Sequence, residues 1–191
     1  MFDSGEHQVD VTLYTDAYVV RGLVTTRHRR LTDVLNQPEH DLLVLSNVTM
    51  EEFGSRASAI RSEYAQVNLD AVLFAVAEQA VEAPPEMRTP KVAELAMISV
   101  PPFTVAGRIH LFPERDLGEA LAMLVGGFIP VTDATFWSDK VAEAKRSVAM
   151  VAVNRNRAQI LAPYRDVDPW SGLDRGAVHT GGAASEGASE G

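Results

Sequence analysis

The densest cluster of side chains that could bind a ligand is basic. Arg27, His28, Arg29 and Arg30 are consecutive in the chain, and Arg21 lies a few residues earlier. We expect this segment to join the end of a strand to the start of a helix, where backbone N–H groups and the helix dipole favour an anion. It could therefore hold a phosphate or a nucleotide. The commoner structure for such a segment is a solvated loop whose arginines pair with acidic neighbours.

The remaining polar residues do not form a recognisable catalytic or metal-binding set. We interpret Asp33, Asn36, Thr132 and Asp133 as structural, with Asp33 near the cap of a helix and the Thr132-Asp133 pair turning the chain after a strand. The five histidines show neither an i, i+4 pairing nor a His-x-His spacing, and the chain has no cysteine. We therefore predict no catalytic residue, no metal site and no cofactor.

Two tryptophans are candidates for contact with a partner. Trp137 follows a predicted strand, and Trp170 precedes a Gly-, Ala- and Ser-rich C-terminal tail. Aromatic side chains often anchor protein interfaces. A tryptophan that packs on its own domain is the commoner arrangement.

Composition limits the classes of partner. The chain has 191 residues, 46% of them hydrophobic, and a formal net charge of −9. An acidic protein repels phosphate backbones, which disfavours nucleic acid as a partner. No apolar run is long enough to cross a bilayer and no signal peptide is visible, so we expect a cytoplasmic protein.

The sequence also contains an internal match, which predicts a tandem duplication. Four segments of the first part match segments of the second in the same order, with one residue inserted after the first. The matched segments are Tyr18-Val-Val-Arg-Gly22 with Phe103-Thr-Val-Ala-Gly107, residues 29–35 with 115–121, residues 43–49 with 129–135, and Val72–Ala77 with residues 149–154. We predict a first β-rich repeat over residues 1–82, a Pro-rich linker over 83–91, a second repeat over 92–164 and a disordered tail over 165–191.

Each repeat is predicted to contain two strands, a short helix, two more strands and a short last strand. Apolar and polar residues alternate over 9–14 and 18–25, which is typical of half-buried strands. Gly22 and Gly107 interrupt strands and predict bulges or sharp bends. In the first repeat, Phe53, Ala57, Ile60 and Tyr64 have helical spacing, so we predict a helical insertion at residues 51–66.

Two motifs carry a resemblance to known domains. Arg30-Leu-Thr-Asp-Val-Leu-Asn36 and Phe128-Ile-Pro-Val-Thr-Asp-Ala134 resemble the motifs of a family of small, uncharacterised bacterial β-barrel domains, which implies a fold and no activity. Val11-x-Leu13-x-x-Asp16 followed by Gly22-x-Val24 is similar to the first half of the Sm motif, whose second half is missing here. Both resemblances imply small β-barrels, and the Sm resemblance implies a strongly bent barrel of five strands.

Together these patterns predict a mainly β protein with short helices. We expect a tandem duplication of a small SH3- or Sm-like five-stranded barrel, packed as a pseudo-dimer. The predicted function is a non-catalytic binding or scaffolding module that acts through protein–protein contacts and could self-associate. The alternative is an anion or nucleotide sensor that uses Arg27, His28, Arg29 and Arg30. An Sm-like RNA binder is a third hypothesis, which the net charge and the missing motif disfavour.

Overall fold

The ten strands that the structure describes belong to one sheet. The structure, a computed structural model, describes residues 6–27, 30–37, 41–55, 58–77, 91–113, 116–141 and 143–164. The first strands are β1 (His7–Thr15), β2 (Tyr18–Thr26), β3 (Leu42–Glu52), β4 (Ile60–Asn68) and β5 (Val72–Ala77). The later strands are β6 (Val92–Val100), β7 (Phe103–Leu111), β8 (Phe128–Ser138), β9 (Glu143–Asn154) and β10 (Ile160–Pro163). Short helices α1 (Leu31–Leu35) and α2 (Leu117–Ala122) follow β2 and β7, and a 3₁₀ turn (Leu69–Ala71) precedes β5.

The prediction of a mainly β fold is confirmed, and the strands form a single open sheet. All pairings are antiparallel, in the order β10-β6-β7-β8-β9-β5-β1-β2-β3-β4. We call β1–β5 with α1 the first half, and β6–β10 with α2 the second half. In each half a meander of four strands is followed by a strand that returns to pair with the first of them. Where the strands are described, neither half closes on itself, because β5 pairs with β9 of the second half.

The two predicted strand glycines lie at bends. The register between β2 and β3 shifts at Gly22, and the register between β7 and β8 shifts at Gly107. Each glycine faces a residue with positive φ on the next strand, Asn47 (51°) or Asp133 (48°). An added Cβ on Gly107 would lie 2.6 Å from Val131 Cγ1, so only glycine fits there. The prediction that Thr132 and Asp133 follow a strand is wrong, since both lie inside β8.

The helix α1 is confirmed, but the role predicted for Asp33 is wrong. Arg30 is the N-cap residue and makes no side-chain cap bond, whereas Asp33 lies inside the first turn. A carboxylate in the first turn still interacts favourably with the helix dipole. In α2, by contrast, the side chain of Asp116 accepts a hydrogen bond from the Glu119 N–H at 3.0 Å.

The predicted helical insertion at residues 51–66 is wrong. Glu51 and Glu52 end β3, and residues 60–66 belong to β4, which pairs with β3 along most of its length. Ile60 and Tyr64 have helical spacing by coincidence, and sheet pairing decides their conformation.

The predicted match of Val72–Ala77 with residues 149–154 is also wrong. Val72–Ala77 is the fifth strand of the first half, whereas residues 149–154 end the fourth strand of the second half. The two segments are adjacent central strands, and Phe74 pairs directly with Val153.

Each of the two hydrophobic cores contains residues from both halves. Phe128 and Ala152 of the second half belong to the core of the first half. Tyr14 and Phe74 belong to the core of the second half, where their rings stack with centroids 4.5 Å apart. The halves therefore share buried surface rather than touching at a polar boundary.

Several sequence predictions fall on other parts of the chain. Most of the predicted linker, residues 83–90, and the predicted tail, residues 165–191, lie outside the described residues. Within the described part of the chain, no helix is long and apolar enough to cross a membrane.

Candidate functional site

The basic segment is only partly described. Arg27 is exposed and pairs with Glu6, its Nη2 lying 3.1 Å and its Nε 3.2 Å from Oε1. Arg30 is exposed, and its carbonyl oxygen accepts the first hydrogen bonds of α1. His28 and Arg29 lie outside the described residues. The pairing of Arg27 with an acidic neighbour is what a solvated loop predicts, and the anion-sensor hypothesis stays a prediction.

Trp137 packs on its own sheet. It is the penultimate residue of β8, is half-buried, and pairs with Thr104 of β7. The ammonium group of Lys145 lies 5.2 Å from the centre of its ring, within the range of a cation–π contact. Its role as a partner anchor stays a prediction, and Trp170 lies outside the described residues.

A small polar group surrounds His110 in the second half. His110 Nε2 lies 2.9 Å from Thr132 Oγ1, and Arg108 Nε lies 3.4 Å from Asp133 Oδ2. Burial lowers the pKa of His110, the nearby charge of Lys91 lowers it further, and Asp133 opposes both. The adjoining cleft has a volume of only about 90 Å³. Among the described residues, no group of three histidine or acidic side chains could hold a metal ion.

The junction of β5 with β9 is the most elaborate polar site in the described structure. The side chain of Asn154, only 2% exposed, donates from Nδ2 to the carbonyl oxygens of Leu69 (3.2 Å) and Val72 (2.9 Å). Its Oδ1 accepts from the Asn156 N–H at 3.0 Å. One amide thus turns its own chain after β9 and fastens that turn to the other half.

Two further contacts cross this junction. Asn36 donates from Nδ2 to the Phe128 carbonyl oxygen and accepts from the Phe128 N–H, both at 2.8 Å. Arg157 Nη2 pairs with Asp16 Oδ2 at 2.5 Å. These bonds hold the ends of α1 and β1 of the first half against the second half. These residues form an internal interface between the two halves.

The two ends of the sheet differ from the junction, because each exposes several large apolar side chains among its polar ones. We define the β4 end by Leu42, Val44, Ile60 and Tyr64, which are 44%, 57%, 58% and 63% exposed. We define the β10 end by Met97, Leu117, Ile160 and Tyr164, which are 41%, 44%, 56% and 40% exposed. A groove of about 440 Å³ runs over β3 and β4 beside the β4 end.

Each end also has an open strand edge. Among the described strands, β4 pairs only with β3 and β10 pairs only with β6. An edge strand presents unpaired backbone N–H and C=O groups on its outer side, which can accept a strand from another chain. Exposed apolar side chains beside such an edge are typical of a protein-binding surface.

Sequence reasoning missed both the junction and the open ends. The predicted duplication could have suggested the junction, because Asn68 and Asn154 each end the fourth strand of their half, but nothing local distinguishes a buried asparagine from an exposed one. Comparison with family models, with curated proteins and with solved structures finds no match for this chain.

Proposed function

We propose that this chain is a non-catalytic scaffolding module that binds protein partners through the open ends of its sheet. The observation that carries the proposal is the β4 end. Four large apolar side chains lie there, two on β3 and two on the nine-residue strand β4, whose outer edge is unpaired in the described structure. Fully burying one such side chain contributes about 1.5–3 kcal/mol, so a partner strand that covers several of them gains substantial affinity.

In this proposal the two halves are tandem copies of one SH3- or Sm-like five-stranded unit, paired as a pseudo-dimer. Their identical strand connectivity supports the duplication. So do the paired bends at Gly22 and Gly107, which each face a residue with positive φ. A third support is the turn after each fourth strand, where Asn68 accepts from the Asp70 N–H at 2.9 Å much as Asn154 does in the second half.

Duplication explains how a small chain acquires a scaffold's geometry. One copy supplies an open β4 edge and the other supplies an open β10 edge, so the two binding surfaces differ in sequence and lie at opposite ends of the sheet order. The net charge of −9 favours a protein partner over a nucleic acid.

The experiment is quantitative affinity capture from native cell extract with three forms of the chain. The first is the wild type and the second carries Val44→Lys with Tyr64→Lys. The third is a control with Thr25→Lys and Ala149→Lys, which adds the same charge at exposed positions of the interior strands β2 and β9. Proteins retained by the wild type and the control but lost from the β4-end variant support the proposal.

Two results would overturn it. One is a set of captured proteins that is the same for all three forms. The other is a measurable turnover that a single polar substitution abolishes, because a scaffold needs no catalytic side chain.

A further inference from the structure

Equivalent positions in the two halves differ sharply in burial. Val11 lies opposite Gly22 as Ala96 lies opposite Gly107, which makes Phe74 of β5 equivalent to Ile160 of β10. In the same way Leu42 pairs with Asn68 as Phe128 pairs with Asn154. The pairs are Phe128 (4% exposed) with Leu42 (44%), Leu31 (4%) with Leu117 (44%), and Phe74 (0%) with Ile160 (56%).

The buried member of each pair lies at the internal junction, and the exposed member lies at an open end. Phe128 is buried because it enters the core of the first half beside α1. Leu42 has the equivalent place in the first half, where no described residue covers it. Leu117 begins α2 as Leu31 begins α1, but no second unit packs against α2 in the part of the chain that the structure describes. The β4 end therefore corresponds to the face of the second half, formed by β8 and β9, that packs against the first half at the internal junction. The β10 end corresponds to the opposite face of that junction, formed by β5 and α1 of the first half.

We infer that copies of this chain associate head to tail, with β4 of one chain pairing antiparallel with β10 of the next and repeating the junction that β9 and β5 form within each chain. This inference rests on the proposed function and identifies the partner as a second copy. A second copy is the expected partner because the chain already contains this interface once, between β5 and β9. The strands at the same positions of the other half, β10 and β4, are the ones left with an open edge.

The register of the contact follows from the internal junction. There Phe74, Ala75 and Val76 pair with Val153, Ala152 and Val151. The equivalent pairs between chains are Ile160 with Val67, Leu161 with Gln66, and Ala162 with Ala65. Val67 and Ala65 are half-buried, so pairing covers an apolar strip that β4 leaves partly exposed.

Asn68 supplies the polar part of the contact. Its Oδ1 is already engaged by the Asp70 N–H, and its Nδ2 has no partner among the described residues. By equivalence with Asn154, that Nδ2 donates to the carbonyl oxygens of Arg155 and Ala158 in the next chain. Leu42 then packs against Leu117 of α2.

The contact between chains is weaker than the internal junction. The bonds from Asn36 to Phe128 have no counterpart, because Ala122 and Leu42 stand in those places. The pair of Arg157 with Asp16 is likewise replaced by Ala71 and Pro101. Association is therefore reversible and depends on concentration. Because the two surfaces differ, it is heterologous and produces rings or open chains rather than a symmetric dimer.

The test uses the full chain and two single substitutions. Leu42→Glu blocks the β4 end and leaves the β10 end intact, whereas Leu117→Glu blocks only the β10 end. Both side chains are exposed in the single chain, so the fold tolerates the changes. Thr25→Glu, at an exposed position of the interior strand β2, is the control. The mass in solution is measured by sedimentation velocity over a range of concentrations.

We expect the wild type and Thr25→Glu to form species larger than one chain as concentration rises. Each blocked variant alone should bind its own copies at least about tenfold to a hundredfold more weakly, the affinity equivalent of losing one buried leucine. An equimolar mixture of the two blocked variants should form a species of two chains and nothing larger, because only one intact pair of ends remains.

Three outcomes would overturn the inference. The wild type could remain a single chain at every concentration. Leu42→Glu could abolish association while Leu117→Glu leaves it intact, which would indicate symmetric pairing of two β4 edges. The mixture of blocked variants could fail to form two-chain species. If the wild type is a single chain and the capture experiment still finds a partner lost with Val44→Lys and Tyr64→Lys, the head-to-tail inference fails and the proposed function stands.

Discussion

Asn154 and Asn68 provide a matched test of how the two halves are joined. The two residues close equivalent strands and make the same turn bond, to Asn156 N–H at 3.0 Å and to Asp70 N–H at 2.9 Å. Only Asn154 is buried, at 2% exposure, and only its Nδ2 reaches across the junction, to Leu69 and Val72. The difference between the two alanine variants therefore isolates the bonds between the halves.

The magnitude follows from counting bonds. A hydrogen bond contributes a net stability of about 1 kcal/mol, and more when its loss leaves a buried group unpaired. Asn154→Ala removes three bonds and should lower the free energy of unfolding by about 3 kcal/mol. Asn68→Ala removes one exposed turn bond and should lower it by about 1 kcal/mol or less.

Urea denaturation measures both values. Unfolding is followed by tryptophan fluorescence. The protein is kept at low concentration, so that association between chains does not add to the measured stability of either variant. The free energy of unfolding must fall with urea concentration at the same slope in both variants, because a changed slope would mean that the two halves no longer unfold together. Losses of stability within about 0.5 kcal/mol of each other, the usual margin for independent sites, would refute the reasoning that Asn154 fastens the two halves.

Three other predictions follow from packing, titration and bonding. Gly107→Ala places a methyl group 2.6 Å from Val131 Cγ1 and should lower the free energy of unfolding by about 1–3 kcal/mol. Gly22→Ala, whose nearest contact is 3.0 Å, should cost less in the same urea assay, and the reverse order would contradict the packing argument. Burial lowers the pKa of His110 below its ordinary value of 6.5, so below pH 6.5 the unfolded chain takes up a proton at His110 more readily than the folded chain. The folded protein is therefore most stable above pH 6.5 and loses stability as the pH falls from 6.5 through the folded pKa. His110→Gln should therefore flatten the dependence of melting temperature on pH below 6.5, and an unchanged profile would count against this account. Asn36→Ala should cost about 2 kcal/mol through the loss of two bonds to the backbone of β8, whereas a cost near zero would mean that these bonds contribute nothing to stability.

Local patterns of apolar, polar and glycine residues in the sequence were enough to predict most of the secondary structure. The apolar and polar residues that alternate along β1 and β2, the apolar positions of α1 and the glycines at the two bends are all visible in short segments of the sequence. The same approach failed at residues 60–66. There an edge strand exposes most of its side chains, so no alternation reveals it, and two apolar residues four apart resemble a helix.

The mistaken match of β5 with residues 149–154 has a related cause. Both segments are rich in apolar residues, because β5 and residues 151–154 of β9 lie in central strands and are buried on both faces. Similar environments select similar residues, and a sequence match cannot separate neighbours in a sheet from equivalent positions in a repeat. Pairing of β5 with β9 is a contact between distant parts of the chain, which no local pattern specifies.

The sequence by itself determined that the protein is mainly β and that Gly22 and Gly107 interrupt strands, because backbone propensity and side-chain alternation act over a few residues. Only the tertiary structure decided which surfaces of the halves are covered. Asn68 and Asn154 are both asparagines, and each makes the same hydrogen bond in a turn at the end of a strand, yet Asn68 is exposed and Asn154 is buried. The difference lies in what packs against each of them, and burial is a property of the neighbours that folding brings together rather than of the residue.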